Sequence, residues 1–286
     1  MHLMGNGSSP DTIVAAEVEL LEAEAWARMH AAFAQQTHTL PGLDVRRYGR
    51  ASALVTPTMD VVAINRVIGL GFEQPLDAAR LAEINAYYCS AGRTRWFLEW
   101  SPSAALQSPA VLEAAGGVVR GAMLKLFAHL AELPAVVLDG GPEVVEVPPS
   151  HTVIFRDMVG AGLGVPEPAR PGIIAAIGQP GWRFYFAMEH GRPIAGAAMF
   201  TDGVGAWFGL SATAQESRGR GAQTALLARR IADARALGCR WISAETFPLT
   251  MHENGSLRNM HRAGLRTLYH RTLYRFETLL SLPPIR

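Results

Sequence analysis

Glu216-Ser217-Arg218-Gly219-Arg220-Gly221-Ala222-Gln223-Thr224-Ala225-Leu226-Leu227 is the stretch on which the reading of this chain turns. An apolar, strand-like run, 204–213, leads into it, and a helical pattern leads out of it as far as Gly238. A strand that hands a glycine-rich turn to a helix builds an anion site. The first N–H groups of the helix have no partner inside it, and the aligned peptide dipoles put partial positive charge there. Gly219 and Gly221 carry no side chain, so a phosphate can approach the backbone closely. Arg218 and Arg220 add forked, permanently charged donors suited to phosphate oxygens. A tight structural connection would need the glycines but not the arginines, because cations at a helix start oppose the dipole. That misfit points to an anionic ligand.

The 286 residues suffice for one large domain or two ordinary ones. A hydrophobic share of 49% and a charged share of 18% supply ample material for a core. The formal net charge of +1 gives no basic field for nucleic acid. Cys89 and Cys239 are the two cysteines, far apart, and form neither a disulfide framework nor a zinc spacing. No apolar run approaches the roughly 18 residues of a membrane span. Residues 1–11 are rich in glycine and serine without the apolar core of a signal peptide, and read as a disordered leader. A cytoplasmic protein is expected, with no nucleic-acid or membrane partner and no metal. A homodimer is left open.

Outward from the quoted stretch, the second half reads as a strand at 144–147, a helix from Ser150 or Thr152 to 162, and a helix at 167–177 broken at Pro171. Strands at 182–189 and 194–200 follow, and Asp202-Gly203 signals a hairpin into 204–213. Beyond the long helix come a strand at 240–246, a helix at 255–263 capped by Asn254, and a last strand at 269–277. Asp139-Gly140-Gly141-Pro142 is a run of turn formers, and separates a domain at 12–139 from one at 143–286. The first half reads as a helix at 12–35, a loop at 41–44, strands at 51–55 and 61–68, and a helix at 76–91. A strand at 94–100, helical segments at 108–115 and 121–130, and a candidate strand at 134–138 complete it.

With the order β-α-α-β-β-β-α-β-α-β, the second half resembles the GNAT superfamily of acyl-CoA-dependent N-acetyltransferases. The family signature, Arg/Gln-x-x-Gly-x-Gly/Ala, is met here by Arg218-x-x-Gly221-x-Gln223, with Gln223 departing at the third position. The resemblance implies an α+β, three-layer fold: a mixed, mostly antiparallel sheet flanked by helices. The similar rhythm of the first half implies a tandem arrangement with a degenerate second unit. That half has no comparable turn, so no pyrophosphate binding is expected there.

The resemblance also implies a cosubstrate, acetyl-CoA or another acyl-CoA. Its pyrophosphate would be held by Arg218, Gly219, Arg220, Gly221, Ala222, Gln223 and Thr224. Backbone groups of Leu210, Ala212 and Thr213, on a strand that splays from its neighbour, would align the pantetheine arm and the thioester. Asn259 would contact the arm near the thiol. The implied reaction moves an acetyl or other acyl group to a primary amine on a small molecule or peptide that no motif identifies. Met260 stands where the family often has a tyrosine that protonates the leaving thiolate. A non-catalytic acyl-CoA-binding or regulatory module is therefore the alternative.

Each remaining candidate has a plainer role beside its functional one. Glu245, at a strand end, is a candidate base for the incoming ammonium or one half of a strand-end ion pair. Tyr269 is a second acid–base candidate or a core aromatic. The run 207–213 is a core strand whose small residues Gly209, Ser211 and Ala212 would leave room for a ligand. Tyr87, Tyr88, Trp96, Phe97 and Trp100 line an acceptor pocket or pack a core. Arg229, Arg230 and Arg235 read as the solvated face of the long helix, opposite Leu227, Ile231 and Ala234. His252 and His261 read as surface or capping groups, and suit no metal-binding helix motif. Gly69-x-Gly71 and Gly160-x-Gly162-x-Gly164 lack the dinucleotide pattern and read as turns.

Overall fold

The computed structural model describes residues 10–37, 40–104, 109–134, 141–248 and 254–278. The expectations for 1–9, for the strand at 135–138, for Asp139-Gly140 and for His252 lie outside them. In the first half the chain forms α1 (Pro10–Gln36), β1 (Asp44–Tyr48), β2 (Ala51–Val55), β3 (Arg66–Ile68), α2 (Ala78–Ser90), β4 (Arg95–Trp100), α3 (Ala110–Ala114) and β5 (Val118–His129). The second half forms β6 (Glu143–Glu146), α4 (Thr152–Gly162), α5 (Pro171–Ile174), β7 (Trp182–Glu189), β8 (Arg192–Thr201) and β9 (Gly205–Thr213). It continues with α6 (Ala222–Ala236), β10 (Trp241–Thr246), α7 (Gly255–Arg262) and β11 (Arg266–Glu277).

All eleven strands join one mixed sheet in the order β1-β2-β3-β4-β11-β5-β10-β9-β8-β7-β6. Among the described residues, only β3–β4 and β9–β10 pair in parallel. The two halves of the chain interlock at the centre. The last strand, β11, lies between β4 and β5, and β5 in turn pairs with β10. Hydrogen bonding is thus continuous across the sheet.

Alternation along the strands sorts the core into two layers. Phe184, Phe186, Trp207 and Phe127 pack with α1, α4 and α5 on one face. Tyr185, Phe208, Leu124 and Leu126 pack with α6 and α7 on the other. A third cluster joins α2 to β2, β3, β4 and β11, and holds Tyr87, Tyr88, Trp96 and Trp100. Those aromatics are core: Trp96 stacks between Tyr88 and Phe276 at centroid distances of 5.3 and 4.3 Å.

The structure changes five sequence expectations. The strand expected at 61–68 is a 3-10 turn at Val62–Ile64 followed by the short β3 at Arg66–Ile68. The segment 121–130 is not helical: residues 121–129 belong to β5, a central strand, and Leu130 to the turn that follows. Its alanine, methionine and leucine content favours a helix locally, yet Met123, Lys125 and Phe127 face one layer while Leu124, Leu126 and Ala128 face the other, and tertiary pairing wins. The loop expected at 41–44 gives way at Asp44 to an edge strand, Asp44–Tyr48, where no strand is expected. Gly160 and Gly162 lie inside α4, where a Cβ on Gly162 would meet that of Ala212 at 2.4 Å; they mark close packing rather than turns. Arg230 is not solvated but 2% exposed: its guanidinium lies over Phe208 and donates to the carbonyls of Leu226 and Ala198. Burial lowers its pKa to about 10.

Candidate active site

The parallel ladder between β9 and β10 runs only from Gly205/Trp241 to Phe208/Ala244. Beyond it the strands part. On its other side β9 keeps β8, but a bulge intervenes, because Gly209 pairs with Ala198 and Ala212 with Gly196. Leu210, in that bulge, has φ 47°, a left-handed conformation rare for a residue with a side chain. The edge of β9 from Gly209 to Thr213 therefore lacks a partner strand on the β10 side. A cavity of about 540 Å³ fills the opening. It is lined by Gln223, Leu227, Asn259 and Met260 from the α6–α7 face, and by Trp26, Phe33, Trp207 and Ile173 from the α1 face. Gly209, Leu210, Ser211, Glu245 and Thr246 form the lips between them.

Below this slot the turn enters α6. Gly219 and Gly221 have φ 80° and 79°, where any other residue is strained. Gly221 is the residue before α6, and no side chain caps the helix. Its first N–H groups are thus left for solvent or a ligand. Arg218 is exposed and makes no ion pair among the described residues. Arg220 donates to Glu189 at 2.5 Å and to the carbonyl of Glu216 at 3.1 Å. Ala222 is buried and Thr224 exposed in the first turn of α6. Gln223, which departs from the family signature, accepts from Ser211 Oγ at 2.6 Å and donates to Thr213 Oγ1 at 2.8 Å. It ties the start of α6 to the free edge of β9. The side chains of Leu210 and Ala212 are buried on the α1 face. The small residues of β9 have a reason other than ligand space: a Cβ on Gly209 would lie 2.1 Å from the Trp207 ring, and Ala212 meets Gly162 of α4. Asn254 caps α7, accepting from Leu257 N at 3.0 Å, and donates to the carbonyl of Phe247 at 2.8 Å.

Glu245 belongs to a buried charge network that the sequence concealed. α1 presents Glu19, Glu22, Trp26, Met29 and Phe33 on one helical face, acidic toward its start and apolar toward its end. Five neighbouring strands meet the acidic end: β3 with Arg66, β4 with Glu99, β11 with Arg271, β5 with Lys125 and β10 with Glu245. Arg271 Nη1 lies 3.1 Å from Glu19 and 3.0 Å from Glu22; Nη2 lies 2.8 Å from Glu99 and bonds Glu245. Lys125 pairs with Glu22, and Arg66 with Glu99. Tyr269 stands in register with Lys125, which is in register with Glu245. Its hydroxyl donates to Glu19 at 2.8 Å rather than facing the cavity, and burial and Glu19 raise its pKa well above the ordinary phenol. The cavity wall includes Glu99, Arg66 and Glu245.

Burial pushes the Glu245 carboxyl up to about 7, Glu22 adds to the push, and Arg271 opposes it. Burial also raises Glu22, but Arg271 and Lys125 outweigh it and hold Glu22 well below the usual carboxylate range. One carboxylate on the cavity wall thus titrates near neutrality while its neighbour stays ionised, the pattern of an acid–base site. The signal available in sequence was slight: an isolated charge inside each apolar strand, such as Glu99 beside Leu98 and Trp100. Oxygens of Glu22, Glu99 and Glu245 lie within 4.8 Å of one another, but Arg271 already serves them as cation.

No family model and no curated protein matches this chain. Solved structures do. A GCN5-related N-acetyltransferase from Kribbella flavida superposes with a TM-score of 0.60 at 17% identity, over 88% of this chain and 95% of that one. A conserved protein of unknown function from Staphylococcus epidermidis gives 0.59 at 9% identity, over 85% and 96%. A tandem GNAT protein from the clavulanic acid biosynthesis pathway gives 0.52 at 15% identity, over 95% and 97%. At these identities the likeness is one of fold. The chain has the GNAT fold, and its match to a tandem GNAT protein runs through both halves. Among the described residues no helix is long and apolar enough to cross a membrane.

Proposed function

We propose that this protein transfers an acyl group, acetyl in the simplest case, from acyl-CoA to a primary amine. The observation that carries the proposal is the slot between β9 and β10. It is lined from both faces of the sheet: on one by Gln223, the second residue of the uncapped helix α6 that the paired glycines precede, and on the other by a carboxyl that titrates near 7. Two substrates can meet there from opposite faces. The turn 218–224 fits a pyrophosphate: backbone N–H groups at the start of α6 and the exposed Arg218 supply donors and charge. Arg220 shares its charge with Glu189 and contributes less than its sequence position suggests. The free edge of β9 and Asn259 would hold the arm. Acyl-CoA supplies an activated carbonyl carbon with a thiolate leaving group.

The residues of the chain act on the amine. An ammonium cannot attack, and an ionised Glu245 beside the slot takes one proton from it and frees the nitrogen lone pair. Arg271 then stabilises neither charge alone but holds the Glu245 carboxyl in place. Positioning in a cavity with mostly apolar walls does the rest. Calorimetry with CoA and a thiol-release assay over a panel of amines test the proposal. One CoA per chain and release of thiol with at least one amine are expected; absence of CoA binding would sink it. Met260, 4% exposed and on the cavity wall, favours a second reading as a non-catalytic acyl-CoA-binding module. CoA binding without turnover on any amine would select that reading.

A further inference from the structure

We propose that the acceptor is a small monoamine with an apolar or aromatic body and no carboxylate, its single ammonium docking against Glu245 on the cavity wall. This rests on the acyl-transfer reading of the same slot. The first ground is charge. The buried network holds four carboxylates, Glu19, Glu22, Glu99 and Glu245, against three cations, Arg66, Lys125 and Arg271. Arg230, the other cation on the cavity wall, lies over Phe208 on the opposite face of the sheet, bonded to carbonyls. His30, on the α1 wall, is bonded to the carbonyl of Val55 and kept neutral by burial. With Glu245 ionised, the state in which it can take a proton, a ligand bringing one positive charge balances the network; a zwitterion leaves it one negative charge in excess, and a polyamine overshoots.

The second ground is an incompletely satisfied acceptor. Glu99 Oε2 is held in the ion pair with Arg271 at 2.8 Å, whereas Glu245, 14% exposed on the cavity wall, meets Arg271 through Oε2, and no hydrogen bond to its Oε1 is seen among the described residues. A carboxylate oxygen on a cavity wall is open to a donor, and an ammonium brings three. The third ground is the rest of the wall. Trp26, Met29, Phe33 and Ile173 continue the α1 side away from the carboxylates. Val62, Leu163 and Phe247 stand at the rim, 36%, 45% and 65% exposed. Large apolar side chains left exposed around a cavity mark a surface that an apolar ligand covers. Protons and electrons balance: the ammonium gives one proton to the Glu245 carboxylate, the amine nitrogen bonds the acyl carbon as the C–S bond breaks, the thiolate leaves with the bonding pair, and the second nitrogen proton passes to that thiolate to give the neutral amide and free thiol.

The test uses matched pairs on the full chain: phenethylamine against phenylalanine, isoamylamine against leucine, and both amines against putrescine. Each is measured by thiol release with acetyl-CoA and by calorimetric binding to the protein alone. The monoamines are expected to exceed their matched amino acids and the diamine by at least about 100-fold in kcat/KM, because the rivals bury a charge without a partner. Phe247→Ser, at an exposed rim position, is expected to raise KM for phenethylamine several-fold and leave CoA binding unchanged. Equal or better use of phenylalanine or putrescine overturns the proposal. So does failure of every amine to bind while CoA still binds, an outcome that leaves the cofactor reading standing. Monoamine binding without CoA binding has the opposite meaning: the acyl-transfer reading fails and the amine site holds.

Discussion

Each half of the sheet contains one parallel strand pair whose first strand runs through a turn into a helix, and the two turns carry opposite charge. After β9 comes Arg218-Gly219-Arg220-Gly221, and α6 begins without a side-chain cap. After β3 comes Gly69-Leu70-Gly71, then Glu73 and Asp77, and α2 begins with the Asp77 carboxylate accepting from Arg80 N at 2.7 Å. Glycines with positive φ occur in both turns, at 69 and 71 as at 219 and 221. In the first half they serve packing: a Cβ on Gly71 would meet Trp100 at 3.0 Å, and one on Gly69 would meet Leu20 at 3.1 Å. Glu73, on the wall of the hollow at this turn, accepts from Arg50 N at 2.7 Å through Oε2, and its charge opposes an anion. The hollow there holds about 30 Å³. A glycine-rich turn is thus no anion site in itself. Whether the helix donors are left open, and which charge surrounds them, decides the matter.

The comparison can be broken most sharply at the slot, which only the second pair opens. Glu245→Gln is expected to lower kcat by about 10²–10⁴-fold while CoA affinity holds. In the unaltered protein kcat should rise with pH through about 7, since Glu245 must be ionised to take a proton, and the variant should lose that limb. A flat profile in the unaltered protein would remove Glu245 from catalysis.

A second test asks whether the halves are separable. Arg271, on the exchanged strand β11, touches carboxylates from both. Arg271→Met should destabilise the protein by about 3–5 kcal/mol, because it leaves buried carboxylates unpaired. Unfolding should remain a single transition; two resolved transitions would show that the interlocked centre does not couple them. The network also sets the pH response. Glu22, held below the usual range, contributes stability above that range that is lost on acidification. Glu245, raised, works in the opposite sense: its contribution is present at low pH and lost as pH rises from about 4.5 through 7.

A smaller effect separates the two turns directly. Arg218→Glu with Arg220→Glu should weaken CoA binding at least about 30-fold, measured by calorimetry, because charge-assisted bonds become repulsion. Glu73→Gln in the other turn should leave affinity and stoichiometry unchanged. The smallest effect is a loss of about 1 kcal/mol on Asp77→Ala, read by chemical denaturation, since the cap of α2 is a single hydrogen bond.

What was legible in the residues is local. A strand, two glycines, two arginines and a helical period lie within a few positions of one another, and their geometry follows from φ preference and helix-end chemistry. The cap at Asn254 and the end of α6 at Gly238 belong to the same class. Gln223 was legible only as a departure; its bonds to Ser211 and Thr213 need β9 folded beside it. The tertiary structure decided the rest. β5 is a strand because β10 and β11 flank it, against its own helical composition. Arg230 is buried because Phe208 and the Ala198 carbonyl receive it. The charge network draws on residues from Glu19 to Arg271, and each looks like an ordinary surface charge in its own segment. Long-range pairing places them in one low-dielectric pocket, where a carboxyl acquires the pKa that chemistry near neutrality requires.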